Sequence, residues 1–468
     1  MAALGGPRAA SPRRATLRPA QPIAAWKAGP MTEDGAFALH VPVHYRRLGN
    51  GLRVVVSPDD SAPIVAVAVY YEVGFRLEPR GRSGFAHLFE HLMFQGSGQL
   101  AKMELVQLVQ QNGGVLNGTT RTDYTNYFEV LPKSALELAL WLEADRMRGP
   151  RITQDELDNQ RDVVKNEVRV NVLNRPYGGF PWIDMCERAF RNWHNSHNGY
   201  GEFEDLDAAS LDDVWAFFGD YYSPRNAVVV IVGDVDVEET FALADRHFGS
   251  IEGTPAPAPP DLGEPRQEAE QSFTKPDPLA SQPALAFAYQ TPERDTPEYL
   301  AMGVLHQLLA GGDDSLLHRE LVSRRGYTGQ VDGGINFLGN MYSARTPLLW
   351  TCSLIHDAGT PPETIVEAAE EVIAPLRETP LDEAAFELAL VKARSGLYST
   401  VGGGMFPAIG LADLLASFTL FDDDPERVNR LEAEMRALSP ALVLETAREY
   451  LRPEARTVIA VEPGASAA

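Results

Sequence analysis

The 468-residue sequence predicts an α+β fold built from two homologous halves. Strand-length apolar runs alternate with stretches of helical period along the chain, and one corner occurs twice. A helix runs into Tyr221-Tyr222-Ser223-Pro224 and then an apolar strand, Ala227 to Val232. Near the end a helix runs into Tyr450-Leu451-Arg452-Pro453, followed by a strand over Thr457 to Val461. Aligning Pro224 with Pro453 superposes Tyr221 on Tyr450 and strand on strand, as a duplicated unit would. Between the halves, Thr254 to Pro265 (TPAPAPPDLGEP) holds five prolines, which makes a semi-rigid extended linker. The expected divisions are a leader or disordered extension over 1–39, a first domain over 40–252, a linker over 253–278 and a second domain over 279–468.

Each element has its local reason. Tyr45 to Ser57 reads as strand, Asn-Gly turn, strand, and Ile64 to Gly74 as a Val- and Tyr-rich strand. Ser83 to Phe94 has helical spacing, and Met103 to Gln111 forms a helix stopped by Asn112-Gly113-Gly114. Asn117 to Val130 alternates Thr and Tyr with polar residues, as one half-buried strand would. Leu136 to Met147 and Gln154 to Asn171 carry helical periods. Gly402-Gly403-Gly404 predicts a loop after a helix, and His194 and His197, set among Asn and Gly, predict another loop and not a metal pair.

Composition narrows the function class. A net charge of −24 argues against nucleic acid as a partner, because phosphate recognition needs a positive footprint. No apolar run is long enough to span a bilayer. Cys186 and Cys352 alone make neither a disulfide framework nor a thiolate cluster, which points to a reducing, cytoplasmic setting. Residues 1–30 contain Arg and Lys but no Asp or Glu. They read as a disordered extension, a stretch ahead of a start at Met31, or a mitochondrial transit peptide, the last of which would place the protein in the matrix.

The chemistry is concentrated in Phe85 to Gly96, FAHLFEHLMFQG. His87 and His91 are four apart and share one helix face, so both can reach one ion. Glu90 lies on the same side, placed to take a proton from water. The pattern is H-x-x-E-H, the inverted zinc-helix motif. Neutral imidazole suits Zn2+, and two His leave room for a carboxylate and an open position. Ala86, Leu88, Phe89, Leu92 and Phe94 bury this helix, where an unpaired Glu is costly. For a third ligand, Glu167 falls on the stripe of Val163, Val164 and Val170; periodicity alone leaves an inward ligand and a solvated carboxylate equally open.

The passage Gly74 to Gly96 (GFRLEPRGRSGFAHLFEHLMFQG) resembles the zinc motif of the pitrilysin and insulinase family, which includes the mitochondrial processing peptidases. In that family a glutamate 76 residues beyond the second His completes the metal site, and Glu167 stands there, within NQRDVVKNEVR. The resemblance implies a zinc endopeptidase subunit with one Zn2+ held by His87, His91 and Glu167, and Glu90 as general base. It also implies two domains, each a mostly antiparallel sheet packed with helices, the first bearing the zinc. Pairs of chains would close around a chamber, with peptide added as a strand on the edge beside the metal. Asn117, Gly118 and Thr119, in a stretch resembling the family's substrate-edge strand, are then the substrate-binding candidates. Gln160 stands where many relatives carry a second glutamate, and Leu316 and Gly329 stand where the family supplies an Arg and a Tyr to grip substrate. The expected partner is therefore a homologous subunit that supplies this pair in a heterodimer, with a homodimer as the alternative. A non-catalytic scaffold or assembly subunit of the same fold is the competing class.

Overall fold

The computed structural model of the protein describes residues 39–402 and 407–464. Residues 1–38 of the expected leader, and Gly403 and Gly404 of the expected loop, lie outside the described residues. Among the described residues no helix is long and apolar enough to cross a membrane.

The first sheet contains β1 (His44–Arg47), β2 (Arg53–Pro58), β3 (Ile64–Tyr71), β4 (Val115–Thr120), β5 (Thr125–Pro132) and β6 (Ala227–Gly233), in the order β1-β2-β6-β3-β5-β4. The second contains β7 (Gln271–Asp277), β8 (Ala284–Gln290), β9 (Asp332–Ile335), β10 (Leu349–Ile355) and β11 (Arg456–Pro463), in the order β7-β11-β8-β10-β9. The second order repeats the first from β2 onward, including its single parallel pair: β2 with β6, and β7 with β11. All other pairings are antiparallel. The duplicated corner is visible at the expected place. Helix Leu211–Tyr221 passes through a turn at Pro224–Asn226 into β6, and helix Pro440–Tyr450 through a turn at Pro453–Ala455 into β11.

Each sheet also borrows cover from the other half of the chain. On β3, Val65, Val67, Val69 and Tyr71 face a core shared with α1 (Phe85–Leu92), α2 (Glu104–Gln111) and α3 (Leu136–Arg148). Helix Pro407–Asp422 packs on the same sheet against β3 and β6. Arg53 donates to the Thr419 carbonyl at 3.0 Å, and Tyr124 Oη to Asp413 Oδ1 at 2.7 Å. Covered on both faces, β3 and β6 are almost continuously apolar. In exchange, Met185, Ala189 and Phe190, on and just after helix Asp184–Ala189, pack on Ala286, Ala288, Leu349 and Ile459 of the second sheet.

Four expectations change. The Thr/Tyr alternation of Asn117 to Val130 is not one strand but a hairpin, β4 and β5, whose turn is closed by Arg121 N–H donating to the Tyr124 carbonyl at 2.8 Å. Period-2 patterning carries straight through a tight turn, so it could not mark the reversal. Gln271–Asp277, inside the expected linker, is β7; it is an edge strand, which is where a strand tolerates Pro276. On α4 (Gln154–Val168) the buried stripe is Leu157, Gln160, Val164 and Val168, while Val163 and Val170 are exposed. Finally, His194 lies in a helical turn, Trp193–Ser196, capped by Asn192.

Candidate metal centre

Three segments meet at the site: α1, the C-terminal end of α4, and β4. Helix α1 is anchored at its N-terminus. Glu78 is fully buried and accepts from the backbone N–H of Gly84 at 2.9 Å and of Ala86 at 2.7 Å, occupying donors the helix cannot pair itself. Gly84 has φ of 83°, and a Cβ there would meet the Tyr200 carbonyl at 2.5 Å, so the entry to the helix requires glycine. Five apolar residues of α1, from Phe85 to Leu92, sink into the core, which fixes the direction of His87, Glu90 and His91.

Helix α4 begins with a reciprocal capping box, Thr153 with Glu156, and packs on α1. This brings Glu167 to the histidines: His91 Nε2 lies 3.3 Å from Glu167 Oε2, and His87 Nε2 lies 3.8 Å from Glu167 Oε1. One ligand atom from each of the three side chains falls within 4.8 Å of the others, the one such group found among the described residues. Glu167 arrives there although two of its expected stripe-mates face solvent, because the α1–α4 contact, not the valine stripe, sets its direction.

The donor set fits a borderline-soft divalent ion. His87 is buried; its Nδ1 has no hydrogen-bond partner and its Nε2 stops beyond hydrogen-bond distance of Glu167. Burial, then the neighbouring His91, push the His87 pKa down to about 4 despite Glu167, so the ring is in the neutral, metal-ligating form. A hydrogen bond from His91 holds the Glu167 carboxyl below its ordinary range, as the anion. Two imidazoles and one carboxylate make the ligand set of catalytic zinc sites.

Glu90 faces a cleft of about 210 Å³ that His87, Glu167, Gly118, Thr119, Thr120 and Tyr200 also line. Thr120 Oγ1 donates to Glu90 Oε2 at 2.8 Å. Burial raises the Glu90 pKa, which strengthens it as a base near neutral pH. Of the three substrate candidates, Gly118 is buried against Glu90: an added Cβ would sit 3.2 Å from Glu90 Cγ and 3.1 Å from Phe94. Thr119 hydrogen-bonds Asn126 across the hairpin, and Asn117 is exposed. All three lie on β4, the last strand of its sheet.

Three neighbours were not picked out from the sequence: Glu78, Thr120 and Tyr200, whose ring stands edge-on to His87 at 4.9 Å. Glu78 gave no local signal: beside Arg76, Pro79, Arg80 and Arg82 it reads as a solvated carboxylate in a loop. The His194 and His197 rings are otherwise engaged. His194 Nδ1 is 2.9 Å from the Arg76 carbonyl, and His197 Nε2 is 3.2 Å from Glu78 Oε2 while its ring stacks on Trp193.

Residues 53–176 match the family model described as Insulinase (Peptidase family M16), and residues 208–391 match the one described as Peptidase M16 inactive domain. The chain belongs to the insulinase, or M16, peptidase family. His87, Glu90, His91 and Glu167 all fall in the first of these M16 regions and none in the second. The zinc protease PqqE of Helicobacter pylori is 27% identical over 424 residues, 89% of this chain and 92% of that protein. A crystal structure of a protease from Helicobacter pylori superposes with a TM-score of 0.81 at 25% identity, over 91% of this chain and 100% of that one. The beta subunit of the mitochondrial-processing peptidase of Lentinula edodes is 24% identical over 284 residues, 59% of this chain and 55% of that protein. Family and relatives place the chain with peptidases, of which PqqE is named a zinc protease.

Proposed function

We propose that this M16 chain is a zinc-dependent endopeptidase subunit that cleaves extended peptides laid against β4. The observation that carries this reading is the convergence of His87, His91 and Glu167 beside Glu90 at an open sheet edge. His87, His91 and Glu167 would hold the zinc, which would supply Lewis acidity to the cleft when bound. Glu90 takes a water's proton on its carboxylate and passes it to the departing amine nitrogen. Thr120 keeps that carboxylate in one orientation throughout. Alternate backbone N–H and C=O groups along Asn117, Gly118 and Thr119 offer strand pairing to any extended peptide, a share of the affinity that does not depend on sequence, to which side-chain pockets add selectivity.

The assembly is a homologous pair. Leu316 and Gly329 carry no charge or hydroxyl to grip a substrate, and a Cβ at Gly329 would meet nothing within 4 Å. A partner chain then supplies the missing Arg and Tyr. The name of the Lentinula edodes relative, a subunit, is in keeping with this.

The test is cleavage of a peptide library by the wild-type chain and by Glu90→Gln, each alone and with the homologous neighbour chain. Glu90→Gln keeps its metal and loses activity by about a thousandfold or more. Wild-type rates from Glu90→Gln would refute the assignment of base, and a metal-loaded wild type that cleaves nothing in either setting would favour a scaffold role. Full activity of the chain alone would refute the need for a partner.

A further inference from the structure

Among the described residues, the cleft beside β4 has one Lys or Arg in its wall, Arg121. This residue opens the turn between β4 and β5, directly after Thr120, whose hydroxyl holds Glu90. Its backbone is fixed on both sides. The N–H donates to the Tyr124 carbonyl at 2.8 Å, and the carbonyl accepts from the Phe75 N–H at 3.3 Å. Its guanidinium, by contrast, has no hydrogen bond and no ion pair among the described residues, although the side chain is partly buried.

The groups around it are already engaged. Arg76 donates to the carbonyls of Arg345 and Pro347 at 2.9 Å each, and Arg345 bonds Glu72. Glu90 accepts from Thr120, and both oxygens of Asp413 accept, from Tyr124 at 2.7 Å and from Asn340 at 2.8 Å. Burial raises the pKa of Glu90 and of Asp413, and the Arg121 charge is among the groups that oppose the rise. The guanidinium thus stands in the field of both carboxylates and bonds neither. Five donors in a planar fork are left to face the cleft, a geometry that matches a carboxylate.

We propose that Arg121 determines specificity by binding a carboxylate that the peptide carries near the cut bond, either an Asp or Glu side chain or a free C-terminus. The inference rests on the peptidase reading above and adds its substrate class. Position argues for it, because a peptide added along β4 passes Arg121 at one end of the paired segment. Charge argues for the class. Glu90 and Glu167 line the same cleft, but Thr120 holds the first and His91 the second, so neither is free to select a basic residue. Arg121 is free, and a charge-assisted bond to a carboxylate is among the stronger contacts a peptide can make. Alternate side chains of an added strand point the same way, so one position is selected and its immediate neighbours are not.

The test is binding of extended peptides to the Glu90→Gln chain, with its partner chain added where the two associate, followed by fluorescence anisotropy. One set is amidated at the C-terminus and carries Glu, Gln or Lys at each scanned position. A second set ends at those positions, as free acid or as amide. At one position, or at one terminus, the carboxylate peptide binds at least about tenfold more tightly than its neutral counterpart, and the advantage shrinks as salt rises. A preference in the first set identifies a side chain, and one in the second a C-terminus. Arg121→Gln removes the advantage, and Arg121→Glu hands it to Lys at the same position of the first set. The proposal is overturned by binding that ignores the carboxylate in both sets, by a carboxylate preference that both variants retain, or by no binding of any peptide. The salt series needs no substitution at Arg121, and a preference that salt leaves unchanged overturns the proposal as well. Wild-type cleavage of the same peptides separates the two claims: selective binding without cleavage refutes the peptidase reading alone, and cleavage without a carboxylate preference refutes the role of Arg121 alone.

Discussion

Thr120 Oγ1 donates to Glu90 Oε2 at 2.8 Å, a bond between the sheet's edge strand and the helix that carries the proposed metal ligands. The strand proposed to face substrate thus orients the proposed base. Thr120→Val removes a hydrogen bond to a charged group, a loss of about 1.5 kcal/mol, and should cost about tenfold in kcat with zinc content unchanged. Thr120→Ser should restore most of it. Steady-state kinetics beside metal analysis check both.

Gly118 has no room for a side chain. A methyl group there would crowd Glu90 Cγ, Phe94 and Tyr127 at 3.1 to 3.2 Å, so at least one of the three must give by tenths of an ångström. Gly118→Ala should lower kcat/KM by about tenfold or more, through displacement of the Glu90 carboxylate. Activity equal to wild type would show that β4 does not bear on the base.

A separate buried cluster governs stability against pH. Glu129, Glu143 and Arg146 are all buried, with two carboxylates to one guanidinium; Arg146 bonds Glu143 and lies 3.7 Å from Glu129. Burial, then the neighbouring Glu143, raise the Glu129 pKa well above 4.5. The folded state therefore binds a proton that the unfolded state releases, and stability falls as pH rises from the unfolded carboxyl pKa through the raised one. Glu129→Gln mimics the protonated carboxyl, so it should raise the melting temperature at pH 8 and change it little at pH 4. Arg146→Ala leaves both carboxylates unpaired and should cost about 3–5 kcal/mol. Calorimetry across pH checks both.

Glu78 ties the start of α1 to His197. Glu78→Ala leaves two buried N–H groups unpaired, at about 1–3 kcal/mol each, and frees the turn before His87. Both the melting temperature and zinc affinity should fall, the latter read by competition with a chromogenic chelator. Unchanged zinc affinity would mean that α1 holds its ligands without this anchor.

What could be read from the sequence was what lies close along the chain. His87, Glu90 and His91 share one helix, so their spacing alone placed them together, and the Pro224 and Pro453 corners revealed the repeat. For Glu167, periodicity leaves a ligand and a solvated carboxylate equally open, and the family resemblance decides between them. Two of the three valines that orient it in the sequence, Val163 and Val170, face solvent, and the packing of α4 on α1 decides its direction. The β4–β5 reversal was invisible because alternation continues across Arg121 to Tyr124. The crossing of helix Pro407–Asp422 onto the first sheet, the Tyr124–Asp413 bond and the Arg76 contacts to Arg345 and Pro347 join residues hundreds apart, which no local pattern encodes.

The central claim is that His87, His91 and Glu167 hold one divalent ion and Glu90 does not. Zinc per chain, measured by elemental analysis after dialysis, tests it in four samples: wild type, His91→Ala, Glu167→Ala and Glu90→Gln. The account predicts about one zinc in the wild type and in Glu90→Gln, and almost none in the other two. A wild type without zinc, or a Glu167→Ala chain that keeps it in full, would contradict the account.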